Sequence, residues 1–149
     1  MHSTIAVYSK DGNEKTTSVV SQLVREFRKR GIDVLVYRKT IEGKTLMEGE
    51  EVFAGLKSLK NVPGLVLSVG GDGTFLETAL NVMNTGIPVA GVNTGRMGFL
   101  ANISVEEIDN AIDMLCRGEY EIIERSLLEI TAPPGLFGNS SPLALNEIT

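Results

Sequence analysis

The sequence predicts an α/β domain built on a parallel sheet, and three observations carry that expectation. Short, largely apolar runs at residues 5–9, 32–37, 65–69 and 88–92 read as buried strands. Segments with helical spacing of apolar residues stand between and after them, at residues 15–30, about 74–83 and 104–117. Glycine or proline punctuates the junctions, at Gly12, Gly31, Pro63, Gly64, Gly86, Pro88 and Gly118. Short apolar strands joined by helices belong to parallel sheets covered on both faces. Such sheets bind ligands at the carboxyl ends of their strands. The loops at 70–74 and 93–102 each follow a strand directly and are the places to look for a site.

Each element has its own warrant. In residues 15–30, Val19, Val20, Leu23, Val24 and Phe27 form one apolar stripe, and Gly31 is the expected C-cap. Residues 38–48 have mixed polarity and read as a loop. Residues 50–59 place Val52, Phe53, Leu56 and Leu59 on one side and read as a short helix, stopped by Pro63 and Gly64. After the strand at 65–69 and the turn at 70–73, a helix runs through Phe75, Leu76, Ala79, Leu80 and Met83. Ser104 with Glu107 is a capping box, and Val105, Ile108, Ala111, Ile112 and Leu115 form the stripe behind it. Gly118 closes that helix. Residues 120–131 have a strand-like pattern, 133–142 read as a turn-rich loop, and 143–149 as a last short strand. Residues 1–132 are thus expected to form the α/β unit, with 133–149 a loop and the start of something further.

Composition narrows the function. The chain has 149 residues, 42% hydrophobic and 22% charged, which fits one globular domain. No apolar run approaches the ~20 residues of a membrane span. The first residues lack the charged start and cleavage site of a secretory signal, so a cytoplasmic setting and no membrane partner are expected. The net charge of −5 argues against nucleic acid, whose binders cluster Lys and Arg. His2 is the only histidine, which excludes histidine-based catalysis and histidine-rich metal sites. Cys116 is the only cysteine and falls inside a helix, where it reads as a small buried hydrophobe.

The chemistry centres on Gly70-Gly71-Asp72-Gly73-Thr74. Three glycines remove Cβ atoms, so a phosphate or ribose can lie against the backbone, and they permit positive φ. The helix starting near Thr74 aims unpaired amides at the same space, and Thr74 adds a hydroxyl. Asp72 is the anomaly, because a carboxylate repels a phosphate unless it has a task. It can take the proton of an attacking hydroxyl, or help hold Mg²⁺ on the phosphates. As a purely structural residue, it would cap the helix in an ordinary Asp-Gly turn. A dinucleotide fingerprint fails at Leu76, and the Gly43-Lys44-Thr45 triplet is not a P-loop, whose first glycine would fall at Arg38.

This turn resembles the signature of a kinase superfamily that includes NAD kinases, diacylglycerol and sphingosine kinases, and 6-phosphofructokinases. The next loop, Gly91-Val92-Asn93-Thr94-Gly95-Arg96-Met97-Gly98-Phe99-Leu100, is similar to the NAD kinase pattern G-x-N-x-G-x-L-G-F-L, with Met97 in place of the usual Leu. The Gly-Thr-x-Asn-Asp stretch of the lipid kinases is absent. Leu145-Asn146-Glu147 resembles the family's Asn-Glu site.

The resemblance implies a Rossmann-like, phosphofructokinase-like amino-terminal domain. It implies transfer of a phosphoryl group from ATP, or polyphosphate in some members, to the adenosine 2′-hydroxyl of NAD, with Mg²⁺ or another divalent cation. Asp72 would be the proton acceptor, within a nucleotide site formed by Gly70, Gly71, Gly73 and Thr74. Phe99 and Leu100 would pack near the adenine, or else anchor their loop in the core. Asn146 and Glu147 would hydrogen-bond the dinucleotide. Asn93 and Thr94 are expected to shape the loop, and Arg96 to be solvated. The family carries a β-rich second domain after the Asn-Glu site, whereas this sequence ends two residues beyond it. It is therefore expected to be a fragment with little activity alone, and a homo-oligomer at full length. A lipid or sugar kinase of the same superfamily, or a non-catalytic nucleotide-binding module, are the competing readings.

Overall fold

In the computed structural model the described residues are 4–41, 51–55, 63–83, 85–96, 98–131 and 143–145. The elements run β1 (Thr4–Tyr8), α1 (Glu14–Lys29), β2 (Asp33–Tyr37), a 3₁₀ turn (Arg38–Ile41), β3 (Glu51–Phe53), β4 (Leu65–Gly70) and α2 (Asp72–Val82). They continue with β5 (Val89–Asn93), β6 (Ile103–Ser104), a 3₁₀ turn (Val105–Glu107), α3 (Ile108–Arg117), β7 (Leu128–Glu129) and β8 (Leu143–Ala144).

Six strands form one sheet in the order β3-β2-β1-β4-β5-β6, and every pair is parallel. The chain moves outward from β1 to β3, then restarts on the other side of β1 with β4. Right-handed crossovers in opposite directions place their helices on opposite faces. Accordingly Ile5, Val7, Leu65, Leu67 and Val69 share a core with Leu23, Phe27, Ile108 and Ile112 of α1 and α3. The alternate residues Ala6, Tyr8 and Val66 pack with Val82 of α2 and with Phe53 and Ile87. The parallel α/β sheet covered on both faces is thus as expected. Its reversal point lies between β1 and β4, where sheets of this order open a crevice at their carboxyl ends.

α1 forms where its stripe requires. Val19, Val20, Leu23, Val24 and Phe27 are all buried, each worth about 1.5–3 kcal/mol when fully withdrawn from water. Asn13 caps its head by accepting the Thr16 amide at 2.9 Å. Arg30 at its end donates to Asp113 of α3 at 2.6 Å and to Glu26, tying the two helices together. α3 follows the Ser104–Glu107 capping box and closes at Gly118, as the sequence indicates. Cys116 packs against this core, and burial pushes its thiol pKa up.

Three segments depart from expectation. Residues 51–53 are a strand, not part of a helix: Glu51–Phe53 adds to the sheet edge beside β2, and the Phe53 ring lies 5.5 Å from that of Tyr37. The spacing of Val52 and Phe53 suits either element, and pairing with β2 decides it. Residues 56–62 lie outside the described residues. Of the strand expected at 120–131, only Leu128–Glu129 pairs among the described residues, with Leu143–Ala144 in an antiparallel ribbon. Ile122 and Ile123 are exposed, so their apolar character is not spent on sheet formation. α2 begins at Asp72 rather than Thr74; Thr78 and Val82 are its buried residues, while Phe75, Leu76, Ala79 and Leu80 are half-buried. The Thr78 hydroxyl donates to Ser68 of β4 at 3.0 Å, which turns that face of the helix inward.

Candidate functional site

β4 and β5 lie side by side with Gly70 opposite Asn93, so the two loops singled out above leave the sheet as neighbours. The turn after β4 is sharp. Gly70 has φ +155°, and a Cβ there would meet Thr74 Oγ1 at 2.5 Å. Thr74 therefore packs into the turn that Gly70 makes possible. Gly71 and Gly73 differ, because a Cβ on either would have nothing within 4 Å among the described residues. Their backbone is bare toward open space. Gly71 is the N-cap of α2 and no side chain caps it, so the head of the helix presents its first amides and positive dipole end outward.

Asp72 does not cap the helix. Its carboxylate reaches across to the second loop and accepts three consecutive backbone amides. Phe99 donates to Oδ2 at 2.9 Å, while Leu100 and Ala101 donate to Oδ1 at 3.1 Å each. The Ala101 amide foremost, then that of Phe99, holds the carboxyl below its ordinary pKa against a partial loss of solvation, and Leu100 adds to this. The loop is braced from behind by Asn93, which is buried. Its amide donates to the Arg96 and Ala101 carbonyls at 2.8 and 3.3 Å, and its carbonyl accepts from Gly95 at 2.7 Å. Asn93 thus shapes the loop as expected, and the Thr94 amide returns to the Gly70 carbonyl at 3.3 Å. Arg96 is exposed.

The brace leaves the Phe99 side chain standing 97% exposed beside the carboxylate, so it does not anchor the loop in the core. Leu100 is half-buried. Asn146 and Glu147 lie outside the described residues, as does Met97. Among the described residues no three metal-ligating side chains come together.

A cluster that sequence reasoning missed stands at the end of β1. The Tyr8 hydroxyl donates to Glu77 of α2 at 2.5 Å, and Lys10 lies 3.5 Å from the other carboxylate oxygen. Burial, with the Glu77 contact behind it, pushes the Tyr8 pKa far up, so it stays a neutral donor. Glu77 sits one helical turn beyond Gly73. No local pattern signals this pairing, because it joins residues far apart in the chain. Lys15, Asn93, Gly95, Ser104, Val105 and Glu106 line a groove of about 240 Å³ at the ends of β5 and β6. That is below the ~300–1,000 Å³ of a typical ligand pocket, so these residues do not by themselves enclose a dinucleotide.

Comparison of the chain with known proteins finds relatives in one family. Residues 5–120 match the family described as ATP-NAD kinase N-terminal domain. An NAD kinase of Bacteroides fragilis is 49% identical over 84 residues, covering 56% of this chain and 29% of its own. One from Flavobacterium psychrophilum is 32% identical over 150 residues, covering 97% of this chain and 51% of its own. The chain thus spans about half the length of the curated relatives it matches along its whole extent. The crystal structure of yeast NADH kinase complexed with NADH shares the fold, with a TM-score of 0.68 at 18% identity, over 95% of this chain and 45% of that one.

Proposed function

The chain belongs to the ATP-NAD kinase family, and from that premise we propose that it supplies the nucleotide-binding α/β part, residues 1–132, of an enzyme that phosphorylates the adenosine 2′-hydroxyl of NAD with ATP. Residues 133–149, with Asn146 and Glu147, begin the second wall of the site and hold the dinucleotide. One observation supports this most: a carboxylate fixed at the head of an uncapped helix, between two glycines whose Cα positions face open space.

Each part has a task. Backbone at Gly71 and Gly73 admits the ribose and phosphates. The amides at the head of α2 face developing negative charge. Asp72 accepts the proton of the attacking hydroxyl. Phe99, exposed beside it, offers a flat apolar face to the adenine. The divalent cation enters on the triphosphate as part of the substrate, since Asp72 has one acceptor position left and no ligand cage surrounds it among the described residues. The reading includes a cytoplasmic enzyme that assembles as a homo-oligomer. Among the described residues, no helix is long and apolar enough to cross a membrane.

A second reading has one observation in its favour. The Asp72 carboxylate already serves as a clamp on the Phe99–Ala101 backbone, which a non-catalytic nucleotide-binding module would also need. NADP formation from ATP, Mg²⁺ and NAD separates the two, measured in the chain extended to the length of its relatives. Activity that falls about 10²–10⁴-fold in Asp72→Asn supports the kinase. A folded, extended protein that binds nucleotide but makes no NADP supports the module.

A further inference from the structure

We propose that Gly98 is a positioning residue for Asp72, and that the Gly98–Ala101 segment orients the carboxylate so that Oδ2 alone meets a ligand hydroxyl. This rests on the reading of Asp72 as proton acceptor.

A carboxylate has about four acceptor positions, two on each oxygen. Oδ1 takes the amides of Leu100 and Ala101, both at 3.1 Å, and is full. Among the described residues Oδ2 takes only the Phe99 amide, at 2.9 Å, and keeps one position. That remaining position is where a hydroxyl proton can be received.

Gly98 sets this geometry by having no side chain. A Cβ on Gly98 would overlap Cγ, Oδ1 and Oδ2 of Asp72 together. Crowding by the carboxylate is the reason for glycine that the structure gives at this position. Gly95 in the same loop shows the contrast: its Cβ would only touch Asn93 Oδ1 at 3.8 Å, an ordinary contact. Of these two loop glycines, Gly98 is the one that the carboxylate excludes from bearing a side chain. Behind it, a Cβ on Gly91 would meet the Ala101 Cα at 2.6 Å, so β5 holds the far end of the segment close. The carboxylate is thus fixed from two sides, by the helix that carries it and by the segment that receives it.

The test is a double-mutant cycle in thermal stability, made on the chain itself with Gly98→Ala, Asp72→Ala and the pair. Gly98→Ala is expected to lower Tm by about 3–8 °C when Asp72 is present and by less than about 1 °C when Asp72 is alanine. An equal fall in both backgrounds overturns the proposal, because Gly98 would then serve the loop alone. Should the single variant not fold, recovery of folding in the double variant supports the proposal, and failure of both overturns it. In the extended protein, Gly98→Ala is expected to lower kcat for NADP formation by about 10–100-fold, with the KM for NAD within about twofold. A raised KM with kcat unchanged overturns the orienting role. An unsubstituted protein that makes no NADP overturns the kinase reading instead, and the Tm cycle decides Gly98 without it.

Discussion

α1 and α2 follow neighbouring strands of one sheet, yet their heads are built in opposite ways. α1 starts on Asn13, whose side chain caps the Thr16 amide, and buries six residues along its length. α2 starts on Gly71 with no side-chain cap and buries only Thr78 and Val82. Its one acidic residue in the first turn, Asp72, leaves its own helix unserved and crosses to another loop. A helix whose end is satisfied locally contributes to stability. A helix whose end is left open has capacity to bind something, and it relies on the sheet and the partner loop for support.

The sharpest way to break this comparison is in the core. Phe27→Ala in α1 should cost about 3–5 kcal/mol, a large share of the 5–15 kcal/mol typical of a domain. Urea unfolding reads this directly, and a loss under ~1 kcal/mol would show that α1 is not the anchor described here. Next, Asn13→Ala should cost about 1 kcal/mol through the lost cap. Gly73→Ala should do the reverse: stability unchanged or raised by about 0.5–1 kcal/mol, because a first-turn helix position gains from losing glycine. NADP formation by the extended protein should nonetheless fall. If Gly73→Ala keeps full turnover, the open backbone there has no ligand to admit.

Acid provides the mildest comparison. Asp72 and Glu26 both have carboxyl pKa values lowered in the fold, that of Glu26 to about 2 by the hydrogen bonds of Lys29 and Arg30. A lowered pKa adds stability above the ordinary carboxylate range of about 3.9–4.3. That contribution is lost as pH falls toward the folded value. Tm should therefore decline from near pH 4 toward pH 2, and Asp72→Asn should flatten the decline. An identical slope in that variant would mean that the amide clamp contributes nothing to the fold.

What the sequence revealed divides along the same line. The stripe of α1, the Ser104–Glu107 capping box and the glycine run at 70–73 are local patterns, and each marked its element. The grip of Asp72 on Phe99–Ala101 is not local, and nothing in either segment announces it. Asp72 in sequence admits the readings of cap, base and metal ligand, and its partners show that it is not the cap. The Phe99 side chain illustrates the same limit, since an apolar residue in a loop suits a ligand face and the core alike until its exposure is seen. Residues 51–53 misled because Val52 and Phe53 suit a helix face and a strand alike, and the neighbour β2 settles which forms. Ile122 and Ile123 misled because apolar character does not by itself supply a strand partner.

The wholly parallel sheet also dictates how the chain must assemble. Ile5 pairs with Val34 on one side and with Leu65 on the other. No hairpin can form within this sheet, so none of its six strands can find a partner through a tight turn. During synthesis, β1 emerges first and stays half-paired until β4 has left the ribosome. Its apolar residues must wait through the making of α1, β2 and β3. Such long-range closure makes folding slow and leaves a sticky strand edge exposed on the way. The seam where β1 meets β4 thus closes only after α1, β2 and β3 have been made, and the site beside it cannot take shape before then.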